Sequence, residues 1–449
     1  MISSVHISGD RKWKNASQLE YGLFLIFLAS IAFSLRAVSS LSIGLILLFN
    51  FYFNQKNEKR WLHSKQGYVL LAGFGLYLLL EGLSLLHTED LAAGLRHLEK
   101  TSGLVLIPLA LYSSESFLNK SFYEKLMWAF SFFLFAACCI CLWQAGISYY
   151  QQGKTSGFFY HELAGNIGQH AIRFSLILYF ALIFLILQFR KSETIKRRLL
   201  IFIVIFFSLF LVLLSSKLVI IFYVLSLVLL FLRSRTKIQG KLIMLLTGLF
   251  LAGSMAIALT ANPVSQRFRL LFSGDQQLFQ REKFDQGIYF NGLQFRLLQW
   301  RIVPGILNRH QAWMIGISPG DAQTELDKIY REKNIYTGRE GTTDQGLLGY
   351  HTHNQFLQTL LQHGIIGLVL LLSICFYLGR MIMKSRNKES RLLVILLLLY
   401  CFTDAILETQ YGIVIFCFFP LFSFLSNRPY KQKSTVTRGN PLYQSAFLP

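Results

Sequence analysis

Apolar runs of about the length needed to cross a lipid bilayer recur along this 449-residue chain, and no other feature constrains its fold so strongly. A hydrophobic content of 53% and a mean hydropathy of +0.45 are too high for a soluble protein of this length. Since a span needs roughly 20 apolar residues, the sequence predicts an all-α polytopic membrane protein with about 12 transmembrane helices. The predicted spans are 20–36, 39–53, 67–86, 97–113, 127–148, 170–189, 199–215, 218–232, 242–260, 355–380, 392–406 and 411–426.

Basic residues outnumber acidic ones, with 44 Lys and Arg against 23 Asp and Glu, and the formal net charge is +21. Membrane proteins collect such residues in their cytoplasmic loops, so this charge does not by itself indicate a nucleic-acid partner. With the N-terminus in the cytoplasm, the most basic loops all fall on the cytoplasmic side: 56–65, 190–198, 233–241 and 384–391. The sequence therefore predicts that both termini are cytoplasmic and that no nucleic acid is bound.

This topology divides the chain into four parts. Residues 1–260 carry spans one to nine, and 354–427 carry spans ten to twelve. Between them, 261–353 forms one large loop on the outer face, and its many aromatic residues favour packed structure with interfacial helices. We expect one such helix around residue 297, broken near Pro304. Residues 428–449 are predicted to be a disordered cytoplasmic tail.

The cysteines and histidines give no metal-binding pattern. The six cysteines all lie inside apolar runs, without ligand spacing, and are expected to be buried thiols. His351 and His353 form a pair, but only His310, His363 or a distant carboxylate could complete a metal site with them. We therefore expect no metal and no cofactor.

Polar residues open the predicted tenth span, where burying them is costly. In a helix that begins at about Asn354, His353 and Gly364 are eleven residues apart and share one face, with Gly367 one turn further. The small-residue stripe would let a neighbouring helix or a lipid tail approach closely. One reading assigns the glycines to helix packing and His353 to a helix cap; the other makes His353 a functional residue above that stripe.

The same spacing has a second interpretation. His353 and Asn354, followed after nine residues by Gly364 and after two more by Gly367, resemble the His-Asn-x9-Gly-x-x-Gly signature of the O-antigen ligase and polymerase superfamily. These proteins are bacterial membrane glycosyltransferases that act on glycans linked to a polyprenyl diphosphate. The resemblance extends to the overall shape, about twelve spans with one large periplasmic loop directly before the motif.

A second stretch is similar to the same family. Arg296-x-x-x-Trp300 is followed by a turn that contains Gly316 and Gly320, as in the family's Arg-x-x-x-Trp segment. One position departs from the family, since Ser216-Lys217 stands where a Ser-Arg pair is common. Lysine keeps the positive charge but loses the bidentate fork that suits a phosphate, so Lys217 is either a phosphate contact or an interfacial lysine.

The resemblance implies a GT-C-like fold and an inverting, metal-independent glycosyl transfer at the periplasmic face of the bacterial inner membrane. The donor would be a polyprenyl-diphosphate-linked glycan, the acceptor lipid A-core or a growing glycan, and membrane lipids would surround the protein. His353 would act as base or as positioner of the acceptor hydroxyl. With Arg296 it forms the catalytic pair, and the residues expected to bind substrate are Lys217, Asn354, Arg173, Arg301 and Trp300.

Four other functions remain open at this point. A polymerase of O-antigen or exopolysaccharide and a protein O-oligosaccharyltransferase share the motif with the ligases. A secondary transporter would also have about twelve spans, although its two halves should then resemble each other. A non-catalytic scaffold would not require His353, Arg296 and Lys217 to lie close together.

Overall fold

The computed structural model describes residues 3–56, 65–114, 118–189, 194–232 and 278–427, apart from 289, 340, 342, 343 and 386, together with residues 244, 247, 248 and 252. These ranges are helical, with no strand among them. In chain order the helices are α1 (Ser3–Ala32), α2 (Arg36–Lys56), α3 (Lys65–Ser84), α4 (Leu91–Thr101), α5 (Gly103–Ser113), α6 (Lys120–Gln152), α7 (Tyr160–Gly165), α8 (Ala171–Gln188), α9 (Thr194–Leu213), α10 (Lys217–Leu232), α11 (Gly292–Arg309), α12 (Ala322–Glu332), α13 (Gln355–Lys384), α14 (Lys388–Tyr400) and α15 (Gln410–Ser426).

The helices confirm an all-α polytopic membrane protein. Within the described part of the chain, five segments are long and apolar enough to cross a bilayer: Arg36–Gln55, Lys65–His87, Lys120–Gln152, Ala171–Gln188 and Gln355–Lys384. Three shorter apolar helices accompany them: Ala16–Ala32, Lys217–Leu232 and Gln410–Ser426. The predicted ninth span, apart from four isolated positions, and the predicted tail lie outside the described residues, as do residues 261–277.

The predicted fourth span, 97–113, is wrong as a single helix. It divides into α4 and α5, which meet at Ser102. Helix α4 starts at a cap in which Asp90 accepts from the N–H of Ala93 at 2.8 Å, and its charged face remains exposed. Eleven residues with such a face are too short and too polar to cross a bilayer.

The helix predicted to begin at Asn354 is interrupted at Gly364, whose φ of +62° and ψ of −161° are not helical. A loop from Trp313 to Ser318 crosses the interruption and takes up the hydrogen bonds that the helix loses there. The N–H of Ile317 donates to Leu361 O at 2.9 Å, and the N–H of Ile365 donates to Trp313 O at 2.8 Å. A loop backbone, and not a helix or lipid tail, therefore approaches Gly364.

Contacts between the helices define the two ends of the bundle. Helices α3 and α13 run antiparallel, with Glu81 near the end of α3 beside His363 near the start of α13. Tyr411, at the start of α15, donates to Ser30 O near the end of α1 at 3.3 Å. We call this the His353 end. At the opposite end, Tyr123 of α6 donates to Glu389 of α14.

Helices α11 and α12 lie outside the bundle and form a core of their own. Asn291 and Gln294 make a capping box at the start of α11. The expected break near Pro304 is wrong, because α11 continues through it to Arg309. Leu298 of α11, Leu326 of α12 and Leu361 of α13 belong to one buried cluster, which fixes these outer helices on the start of α13.

Candidate functional site

His353 lies at the junction between the outer helices and α13. Its φ of +48° falls in the left-handed region, which histidine adopts more readily than most residues but which still costs free energy. The next residue, Asn354, is the N-cap of α13 and accepts from the N–H groups of Phe356 and Leu357 at 3.0 and 3.2 Å. The side chain of Asn354 therefore has a capping function in this structure, whereas the ring of His353 faces α11.

One face of α11 presents three residues to the segment before α13. Arg296, Gln299 and Trp300 share that face because residues three and four apart are neighbours on a helix. Trp300 Nε1 donates to Thr352 O at 3.2 Å, and Gln299 Oε1 lies 3.1 Å from His353 Nδ1. This arrangement gives the Arg-x-x-x-Trp spacing a physical reason, since the tryptophan anchors the helix against the histidine segment.

The environment of His353 keeps its ring neutral. Burial, together with the positive charges of His351 and Arg296, lowers the pKa of His353 to about 4. Arg296 itself holds its Nε buried without a hydrogen-bond partner among the described residues. An arginine donor that is buried and unpaired next to a neutral histidine is an arrangement suited to an anionic ligand.

Asp404 provides the negative charge of the site. It follows α14, accepts a hydrogen bond from Tyr400 and lies with its Oδ1 3.7 Å from His351 Nε2. Although burial acts in the opposite direction, the charge of His351, the hydrogen bond from Tyr400 and the charges of His353 and Arg173 lower the pKa of Asp404. Asp404 therefore stays ionised beside the segment that precedes α13.

His351, His353 and Asp404 are close enough to hold a metal ion, with their nearest ligand atoms within 4.8 Å of one another. Asp404 is the distant carboxylate that a metal site would need. However, His351 Nδ1 accepts the N–H of His353 at 3.2 Å, so in the neutral ring the proton is on Nε2, the atom that faces Asp404. A metal at that position needs the lone pair of Nε2, and the hydrogen bonding therefore does not fit one.

Two arginines, Arg36 and Arg173, line a cleft at the same end of the bundle as His353. This cleft of about 300 Å³ is lined by Arg36 at the start of α2, Arg173 on α8, and the rings of His161 and His170. The centroids of the two rings are 4.4 Å apart and their planes are inclined by 60°. Burial, then the charges of His161 and Arg173, lowers the pKa of His170 to about 3. The two arginines therefore provide the positive charge of this cleft.

Lys217, the first residue of α10, lies at the level of this cleft. Helices α8 and α10 run parallel, and the hydroxyl groups of Tyr179 and Ser226 are 2.9 Å apart. Nine residues before Ser226 is Lys217, and nine residues before Tyr179 is His170. Because both helices rise about 1.5 Å per residue, the register places Lys217 at the same height as His170.

Arg301 and Gly367 do not contact His351 or His353. The guanidinium of Arg301 donates to the carbonyl of Gln280 and pairs with Glu282, and 41% of its side chain is exposed. A Cβ on Gly367 would lie 3.4 Å from Leu80 of α3, so this glycine is at a helix contact. The fork of Arg301 is thus occupied by the 278–282 turn and does not face His353.

A buried acid and histidine network lies below the site. The ring of His97 on α4 bridges Glu81 of α3 at 3.0 Å and Glu408 at 3.2 Å. Gln362 Nε2 donates to Glu408 at 3.0 Å, and His363 Nε2 is 3.3 Å from Glu81, out of line for a hydrogen bond. The network ties α3, α4 and the start of α13 together.

Three functional candidates were missed in the sequence. Gln299 stands between Arg296 and Trp300, so its spacing was visible, but its partner lies 54 positions away. Arg36 looked like a scattered loop charge, and Asp404 like one of several carboxylates near the outer face. Arg36 and Asp404 become site candidates only through the packing of α2, α8 and α14 near His353.

Comparison with known families finds one match to part of the chain. The family model described as O-antigen ligase matches residues 200–372, which include Lys217, Arg296, Trp300, His353 and both glycines of the signature. No curated protein matches the chain. The matched segment covers α10 and α11 and extends into α13, so it contains the elements that position the histidine and one of the arginines. Over residues 200–372, about two fifths of its length, this membrane protein is therefore similar to the O-antigen ligase family.

Proposed function

We propose that this protein is an O-antigen ligase, which transfers a glycan from a polyprenyl diphosphate to lipid A-core at the periplasmic face of the inner membrane. One observation carries the proposal: neutral His353 lies within the electrostatic influence of both Arg296 and the ionised Asp404, and Arg173 acts on Asp404 from the start of α8. A base beside clustered positive charge is what glycosyl transfer from a diphosphate requires. The matching family model, described as O-antigen ligase, supports glycosyl transfer of the ligase or polymerase type.

The arginines would bind the leaving group. A polyprenyl diphosphate carries its negative charges at the membrane surface, and guanidinium groups bind phosphate oxygens with two parallel hydrogen bonds. Arg296 has a buried donor without a partner among the described residues, and Arg36 and Arg173 line the adjacent cleft. Their charge would stabilise the diphosphate as the glycosidic bond breaks, so that it leaves without a strong general acid.

His353 would accept the proton of the acceptor hydroxyl. Its pKa of about 4 keeps the ring unprotonated at neutral pH, which is the form that a base requires. As the hydroxyl oxygen attacks the anomeric carbon, its proton passes to the imidazole and the bond to the diphosphate breaks. A single displacement of this kind would invert the anomeric configuration, and the proposed step uses only protein side chains.

The distribution of lysines supports a periplasmic site. Lys65, Lys120, Lys384 and Lys388 all start or end helices at the end of the bundle opposite His353. Basic residues collect on the cytoplasmic side of membrane proteins, so the His353 end would face the periplasm. Helix α1 begins and α15 ends at the lysine-rich end, since Phe24 stacks on Phe422 and Tyr411 binds Ser30.

The test is glycan transfer in membranes of a host that lacks its own ligase. Wild-type protein, His353→Ala and Arg296→Ala are compared at matched protein levels, and lipopolysaccharide ladders are analysed on gels. His310→Ala is the matched control, because His310 is an exposed histidine that pairs with Glu325 on the outer helices. We expect ladders with the wild type and the control, and none with the two site variants.

Other outcomes would contradict the proposal. Long glycans that accumulate on the lipid carrier, without ladders, would indicate a polymerase. Ladders that persist in His353→Ala would exclude the histidine as base. Unchanged glycans in every sample would favour a transporter or a scaffold.

A further inference from the structure

We propose that Gln299 is a positioning residue that sets the tautomer of His353, so that Nδ1 carries the ring proton and Nε2 carries the lone pair. This inference rests on the proposed function, in which His353 takes a proton from the acceptor. Gln299 lies on α11 and is completely buried. It would act on the reaction through the ring of His353, whose Nδ1 is 3.1 Å from its Oε1.

The orientation of the Gln299 amide is determined by its other partners. Gln299 Nε2 lies 2.6 Å from His351 O, 2.9 Å from the hydroxyl of Tyr330 and 3.3 Å from Tyr350 O. Carbonyl oxygens only accept hydrogen bonds, so the amide NH₂ must face them. The hydroxyl of Tyr330 donates to Tyr350 O at 2.9 Å and therefore also acts as an acceptor for Gln299.

The same geometry determines where the proton of His353 lies. With its NH₂ facing the carbonyls, Gln299 presents only Oε1 to His353 Nδ1, and an amide oxygen cannot donate. A hydrogen bond then requires that Nδ1 carries the proton. In the neutral ring Nε2 is left as the basic atom, in the way that a carboxylate or carbonyl orients catalytic histidines elsewhere.

The ring has little freedom to turn away from Gln299. Its centroid is 5.7 Å from that of Tyr350, with the planes inclined by 28°, and 4.6 Å from that of His351. The charged groups that bear on its protonation come from three segments. They are His351 on the same segment, Arg296 on α11 and Asp404 after α14, and Asp404 is itself influenced by Arg173 on α8.

The direct test is nuclear magnetic resonance of protein with ¹⁵N in its histidine rings. The His353 signals are identified as those lost in His353→Ala. In the wild type we expect the neutral ring to be in the Nδ1–H form only. A neutral His353 in the Nε2–H form would overturn the proposal without requiring that any Gln299 variant folds.

Two variants of Gln299 extend the test. Gln299→Met keeps the volume but has no acceptor, so we expect both tautomers and a kcat reduced about ten- to a hundredfold, with KM within about threefold. Gln299→Glu retains an oxygen opposite Nδ1 but loses the donor to the carbonyls of His351 and Tyr350, so we expect the Nδ1–H form to persist at a cost in stability. Gln286→Met, at an exposed glutamine, is the control and should behave as wild type in both measurements.

The tautomer of His353 and the kcat of glycan transfer together distinguish failure of the role of Gln299 from failure of the proposed function. Equal tautomer populations and equal kcat in wild type, Gln299→Met and Gln299→Glu would overturn the role of Gln299. The expected tautomers without glycan transfer, even by the wild type, would overturn the proposed function and leave the hydrogen bond between Gln299 and His353 established.

Discussion

Gly316 and Gly364 lie against each other's chain segments where the loop after α11 crosses the interrupted helix α13. A Cβ on Gly316 would lie 2.3 Å from the carbonyl carbon of Gln362, and a Cβ on Gly364 would lie 2.3 Å from that of Met314. Both glycines also have positive φ, at +74° and +62°. No other residue type fits either position without moving the loop away from the helix.

We therefore expect Gly316→Ala and Gly364→Ala to destabilise the protein. Left-handed backbone at a non-glycine residue costs about 1–3 kcal/mol, and the clash with backbone atoms adds to that cost. The melting temperature in detergent measures the effect. Gly305→Ala is the control, because its Cβ would meet nothing within 4 Å on α11 and alanine favours helices by up to about 1 kcal/mol. Equal melting temperatures for all three variants would mean that the crossing is not tight.

The buried bridge between Glu81, His97 and Glu408 predicts a second stability effect. Replacing His97 with leucine leaves two buried carboxylates close together without their shared partner, and breaking a buried ion pair costs about 3–5 kcal/mol. His97→Leu should therefore lower the melting temperature in detergent sharply. The same change at His87, which is exposed on the turn after α3, should leave it nearly unchanged. Similar melting temperatures for the two variants would contradict a charged bridge.

The neutral state of His353 predicts how glycan transfer depends on pH. A base acts in its unprotonated form, and with a pKa of about 4 that form exceeds the protonated one at all pH values above 4. At pH 6 the ratio should be about 100 to 1, whereas a histidine with its ordinary pKa of about 6.5 would be mostly protonated there. Initial rates measured from pH 4.5 to 8 should thus stay level down to about pH 5. Half-maximal kcat/KM near pH 6.5 would contradict the assignment.

The cleft arginines predict an effect on donor binding. Hydrogen bonds to charged groups contribute about 1.5–3 kcal/mol, so Arg36→Ala and Arg173→Ala should each raise KM for the lipid-linked donor about ten- to a hundredfold. Arg301→Ala is the contrasting variant, because Arg301 contacts Gln280 and Glu282 instead of the cleft. Its KM should stay within about twofold of wild type. An equal rise in KM for Arg173→Ala and Arg301→Ala would contradict the location of the diphosphate.

The sequence by itself determined the all-helical membrane fold, because hydropathy is a property of each segment and needs no partner. It also predicted a site at His353, Arg296 and Trp300, because the spacing of a signature is visible along the chain. The prediction of a continuous helix after Asn354 was wrong, because the structure there depends on a distant segment of the chain. The glycine pattern after Asn354 predicts one continuous face, but α13 is interrupted at Gly364 by a loop some 50 residues earlier in the chain.

Only the tertiary structure decided which groups act together. Gln299 meets His353 across 54 positions, and Asp404 approaches His351 from beyond α14. Arg36 and Arg173 share a cleft although α3 to α7 separate them in the chain. Hydrogen bonds and charge pairs of this kind depend on distances of a few ångströms, which follow from how the helices pack. Local composition carries no information about these distances, and so Gln299, a residue without charge, emerged as a partner of His353 only from the packed structure.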